Sequence, residues 1–155
     1  MKLFSARTLI TLALAIAAPL AAIAQQVPGE HPGYLHALTD LRAARWFLYH
    51  QPGDAKVSGQ EDVAINEIDA AINEIKHASI DDHKDLNDHP AVDVQEHGSK
   101  LLKAIETLKK AKEDITREED NPQARELRHK AVGHIDRAIK ATEKAHDEWL
   151  KQQKK

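Results

Sequence analysis

Beyond residue 32, apolar residues recur at steps of three and four, and no stretch alternates apolar with polar as a half-buried strand would. Ile65, Ile68, Ile72 and Ile75, with Ser79 next, form one such seam. Val132, Ile135, Ile139, Thr142 and His146, then Trp149, form a second. Tyr34, Leu38, Leu41 and Leu48 form a third, and Leu101, Ile105, Leu108 and Ile115 a fourth. That spacing sets each group on one face of an α-helix, the face a bundle buries. Beside two of the seams, Ala64, Ala71 and Ala78, and Ala131, Ala138 and Ala145, recur at heptad spacing and allow helices to approach closely.

Local signals between the seams set the predicted boundaries. The first helix starts near His31-Pro32-Gly33, with proline in the first turn, and stops before the turn Gln51-Pro52-Gly53. Ser58-Gly59-Gln60-Glu61 matches a capping box and opens a second helix that runs to about Ser79. Asp93-Val94-Gln95-Glu96 offers a cap for a third, ending near Glu119. Asn121-Pro122 opens the fourth, which runs to about Lys151.

The two halves resemble each other. Shifted by 67 positions without a gap, residues 34–78 fall on 101–145 with ten identities, among them Leu41/Leu108, Ile68/Ile135, Asp69/Asp136 and Ile72/Ile139. Most of the identities lie on the apolar stripe. The prediction is an all-α four-helix bundle built from two repeated helical hairpins, residues 33–78 and 97–151. A connector over 79–96 joins them, and a flexible lead-in over 25–32 precedes them.

One position breaks the seam in both halves. Arg45 and its counterpart Lys112 stand where an apolar residue is expected, and Asp69 and Asp136 flank the seam in the paired helices. Either each hairpin carries a basic–acidic pair at the core edge, or the long basic chains bury their stems and snorkel to water. Snorkelling is the expectation.

The amino terminus changes the picture of where the protein works. Lys2 and Arg7 precede an apolar run from Leu9 to Ile23, and Ala22-Ile23-Ala24 fits a signal-peptidase site. Residues 1–24 are expected to be a cleaved signal peptide, with no membrane span left after cleavage. Without cysteine there is no lipid anchor, so the product is expected to be periplasmic or secreted. Loss of Lys2 and Arg7 takes the formal charge from −3 to −5. A mildly acidic chain without a basic stripe argues against nucleic acid as a partner.

The absence of cysteine rules out disulfides, thiolate zinc sites, iron–sulfur clusters and cysteine nucleophiles. Met1 is the only methionine, which removes methionine-ligated copper or haem. Histidine is the outlier, with ten in the chain. Imidazole is a common ligand for copper, zinc, nickel and iron. No two histidines are three or four apart, so a single tetrahedral zinc site on one helix face is not expected. The seams put His36, His50 and His77 outward, leave His134 half exposed, and place only His146 on an apolar stripe.

Glu74 with His77 and Glu143 with His146 have the spacing used in di-iron bundles, but the first helix has no glutamate to complete such a site. The connector is the densest acid–histidine segment. The candidate metal ligands are therefore His83, His89 and His97, with Asp85 and Asp88, joined by His31 and His146 if the helix ends meet. Copper or zinc are the candidate ions. No catalytic site is expected: Ser58, Ser79 and Ser99 lie outside any nucleophile turn, and no glycine-rich phosphate loop occurs. Trp46, Phe47 and Tyr49 are expected to pack under the connector, with an exposed partner site as the alternative.

The text His129-Lys-Ala-Val-Gly-His134-Ile-Asp-Arg-Ala-Ile-Lys-Ala-Thr-Glu-Lys-Ala-His146 resembles the periplasmic small metal-binding proteins. That resemblance implies a histidine-rich four-helix bundle binding copper and other divalent metals. Histidine is sparser here and lacks that family's regular pairs. Asn87-Asp88-His89-Pro90 and Glu118-Glu119-Asp120-Asn121-Pro122 resemble signatures of an uncharacterised family of exported bacterial four-helix-bundle proteins. The expected function is divalent-metal binding by an exported, non-enzymatic bundle, through histidines and carboxylates. The alternative is a structural or protein-interaction module of the cell envelope without metal.

Overall fold

The computed structural model describes residues 32–49, 58–78, 85–89, 97–117 and 122–155. The expected signal peptide, most of the lead-in and the Asp93–Glu96 cap lie outside them. Four helices follow in order: α1 (Pro32–Leu48), α2 (Gln60–Ala78), α3 (His97–Arg117) and α4 (Pro122–Gln153). No strand occurs among the described residues. Proline opens α1 and α4, where a missing N–H costs nothing. Before α2, the Ser58 hydroxyl accepts the Gln60 N–H at 3.2 Å. Glu61 and Asp62 in the first turn of α2, and Lys76 and His77 in its last, complement the helix dipole.

The helices form a four-helix bundle. Its most extensive contacts join α2 to α4 and α1 to α3, between the halves, while α1 meets α2 more sparingly. Each helix therefore touches two neighbours, and α1/α4 and α2/α3 lie across the diagonals. Polar contacts fix the directions. Lys100 of α3 lies over Trp46 of α1, and Lys110 reaches Asp40, so α3 runs antiparallel to α1. Lys112 meets Asp136 and Lys109 meets Glu143, so α4 runs antiparallel to α3. Glu67 meets Arg137 while Glu74 faces Lys130, so α2 and α4 are antiparallel too.

These directions make α2 and α3 parallel. The chain leaves α2 at one end and must enter α3 at the other. The 79–96 connector thus crosses the length of the bundle, about 30 Å for a helix the size of α3, giving a bundle with one long crossover.

The core follows from the seams with one shift. Leu41, Leu108, Ile68 and Ile135 are fully buried, and each pair is related by the repeat. Ala64, Ala71, Ala131, Ala138 and Ala145 are fully buried as well. Ile65 and Val132 are only partly buried against this cluster. The alanines thus sit in the centre of the stripe, and two seam residues move to its edge, because the closely spaced pair α2/α4 admits small side chains at its midline. Thr142 is tolerated in the core because its hydroxyl donates to the Ala138 carbonyl at 2.8 Å.

Candidate functional site

The connector reappears as a short strap over the end of α1. Its Asn87 accepts a hydrogen bond from Arg45 Nη1 at 3.2 Å. The His89 ring lies against Trp46 with centroids 4.7 Å apart, and Trp46 makes an edge contact with Phe47 at 6.0 Å. Phe47 is buried and Trp46 half-buried, whereas Tyr49 is half exposed. The aromatic cluster therefore packs under the connector only in part. Arg45, Trp46, Tyr49, Leu86, Asn87 and His89 border a cavity of about 300 Å³.

Within the strap, Asp85 Oδ1 accepts the Asn87 N–H and side-chain amide, each at 2.9 Å, and Asp88 Oδ2 accepts the Asp85 N–H at 3.3 Å. These are local turn bonds of the kind aspartate makes. Asp85 and Asp88 stay exposed and each keeps carboxylate lone pairs for another partner.

The predicted ligands divide accordingly. Asp85, Asp88 and His89 share the strap. His97 opens α3 at the same end of the bundle. His146 lies near the end of α4, its ring stacked on Trp149 at 5.9 Å. His31 and His83 lie outside the described residues. α1 begins at the end opposite the strap, so the strap and the start of α1 do not come together. Among the described residues, no three histidine, aspartate or glutamate side chains converge closely enough to hold one ion.

The seam-breaking basic residues pair rather than snorkel. Arg45 Nε donates to Asp69 Oδ1 at 2.7 Å, and Lys112 Nζ to Asp136 Oδ1 at 2.6 Å. The expectation of free basic heads is corrected here: an aspartate stands 24 positions on in both halves, one hairpin length away across the helix pair.

Other polar contacts were not foreseen. Glu67 Oε2 lies 2.6 Å from His134 Nδ1 and accepts from Arg137 Nε at 2.9 Å. Burial pushes the Glu67 carboxyl up, but these two partners outweigh it and hold the group below its usual range. Glu67 and His134 are separated by the repeat length itself, 67 positions, which was the available signal. Asp40 takes a hydrogen bond from Lys110 at 2.6 Å. Burial raises the Asp40 carboxyl above its usual value in spite of Lys110, and Asp114 adds to the rise. Arg42 and Glu61 are buried at 1% and 0% exposure, positions the charge pattern gave no reason to place inside.

A second, larger cavity of about 620 Å³ opens between α3 and α4 at the other end, lined by Lys112, Thr116, Arg125, Arg128, His129 and Val132, with Glu126. No helix among the described residues is long and apolar enough to cross a membrane. The fold and these two surfaces define a four-helix bundle with one crossover and a cleft at each end. No family model, curated protein or solved structure matches the chain.

Proposed function

We propose that the protein is an exported, non-enzymatic bundle that takes divalent metal, copper or zinc, at exposed histidines and carboxylates, with the strap as its principal site. One observation carries this reading: Asp85, Asp88 and His89 lie within one short segment that Arg45 and Trp46 hold in place. An imidazole and two carboxylates are donor types a divalent ion takes, and because the three do not converge on one point each would hold the ion weakly, with water completing its shell. His97 opens α3 at the same end, and the apolar core leaves the metal to the surface. The resemblance of the fourth helix to periplasmic small metal-binding proteins points the same way. The pattern of residues 1–24 supports export to the periplasm or beyond it.

Two tryptophans make the test direct. Trp46 touches His89 and Trp149 touches His146, so copper(II) bound at either imidazole quenches its own indole. In a Trp149→Phe background, copper should quench Trp46 with a Kd tighter than about 100 μM, and His89→Ala should abolish the quenching. Neither quenching nor calorimetric heat with copper and zinc up to that concentration would end the metal reading. A second reading, a protein-interaction module of the envelope, is favoured by a separate observation, the basic cleft between α3 and α4.

A further inference from the structure

Apolar exposure is confined to one end of the bundle. Among the described residues, the exposed large apolar side chains are Tyr49, Val63, Leu86, Leu102 and Leu150. α1 and α4 finish at this end, and α2 and α3 begin there. Tyr49 follows α1, Val63 lies in the first turn of α2, Leu102 near the start of α3 and Leu150 in the last turn of α4, while Leu86 belongs to the strap. The opposite end has none among the described residues.

Two corners of this end are level with each other. Lys109 meets Glu143, so stepping back along α3 to Lys100 carries antiparallel α4 forward to Gln152. Lys100 lies over Trp46 of α1. The end of α4 therefore stands at the height of Trp46 and the strap, on the far side of the α1/α4 diagonal. The two corners also differ in sign. In the strap, Asp85 and Asp88 flank exposed Leu86, and their side-chain bonds stay within the strap's own turn. On α4, exposed Leu150 is followed by Lys151, Lys154 and Lys155, all exposed and without an ion pair among the described residues.

We propose that this end is a self-complementary surface on which a second copy of the chain docks end to end. A two-fold axis along the α2/α3 diagonal sets the strap of each copy on the α4 end of the other, so every contact is made twice. The Asp85 and Asp88 carboxylates meet the lysine ammonium groups of the partner, and Leu86 and Tyr49 cover its Leu150. Helices about 8–10 Å apart make an end only about 20 Å across. The contact thus falls in the weak class that buries less than about 1,200 Å². The pairing needs no ion and is tested with a chelator present, so it stands or falls apart from the metal reading.

Sedimentation velocity of the exported chain in chelator should show a monomer–dimer equilibrium with a Kd between about 10 μM and 1 mM, weakening as salt is raised. Lys151→Glu/Lys154→Glu changes two exposed residues and should weaken association at least about tenfold, with helicity unchanged by circular dichroism. Asp85→Lys/Asp88→Lys should do the same. Mixed together, these two variants should form a heterodimer, because both contacts are again between opposite charges. Arg117→Glu/Arg125→Glu, with the same charge change at the opposite end, should associate as the parent does. A chain that is monomeric up to about 1 mM, association that survives Lys151→Glu/Lys154→Glu or is lost equally in Arg117→Glu/Arg125→Glu, or a mixture that stays monomeric would each overturn the proposal. A monomer that instead sediments with vesicles of anionic phospholipid would also overturn it, and would mark this end as facing a lipid surface.

Discussion

Glu67 stands where the two halves face each other, and its carboxylate holds both His134 and Arg137. Because its folded pKa lies below the usual 4.5, its contribution to stability is present above that value and fades as pH falls through the folded one. Glu67→Gln should therefore cost about 1 kcal/mol at neutral pH in urea unfolding, and parent and variant should converge as pH falls through the folded value. Asp40 has the opposite sign. Its raised pKa means ionisation opposes folding, so its contribution is present at low pH and falls as pH rises through the folded value. The basic–acidic pairs differ in shelter: Arg45 and Asp69 are 16% and 31% exposed, Lys112 and Asp136 39% and 42%. Asp69→Ala should lose about 1 kcal/mol and Asp136→Ala only a few tenths, measured by denaturant unfolding. Equal losses would show that shelter does not decide these pairs.

At the scale of elements, the helices were legible because apolar spacing and caps act locally. Pro32 and Pro122 open helices as their sequence context requires, and the four seams supply the core. The centre of the α2/α4 stripe was less legible. Apolar weight favoured Ile65 and Val132, but close approach of two helices favours the smallest side chains, so Ala64 and Ala131 occupy the middle. Ala71→Leu should then cost about 1–3 kcal/mol by overpacking, and Ile68→Ala about 2–5 kcal/mol by leaving a cavity. The strap was legible only as an acid–histidine stretch. Its docking depends on Asn87 and His89 meeting Arg45 and Trp46, residues more than 40 positions earlier, which no local pattern encodes. Asn87→Ala/His89→Ala should expose Trp46, seen as a red shift of its emission in a Trp149→Phe background, with little change in the unfolding midpoint.

At the scale of the whole molecule, the repeat predicted two hairpins, and the bundle keeps both. What the repeat did not specify is how they dock. The contacts run mainly between halves, α1 on α3 and α2 on α4, around Leu41/Leu108 and Ile68/Ile135. That arrangement makes α2 and α3 parallel and forces the crossover that carries Asp85, Asp88 and His89 to the end of α1. It also leaves the second cleft bordered by α3 and α4 alone among the described residues. The placement of the strap and of this cleft thus follows from one topological fact. The chain has no cysteine, so an introduced pair can be spin-labelled without background. The decisive measurement is the distance between labels at His77→Cys, near the end of α2, and Ser99→Cys, near the start of α3, both exposed. The crossover places them at opposite ends and predicts a distance beyond about 30 Å. A distance under about 20 Å, as neighbouring ends of a plain up-and-down bundle would give, would contradict it.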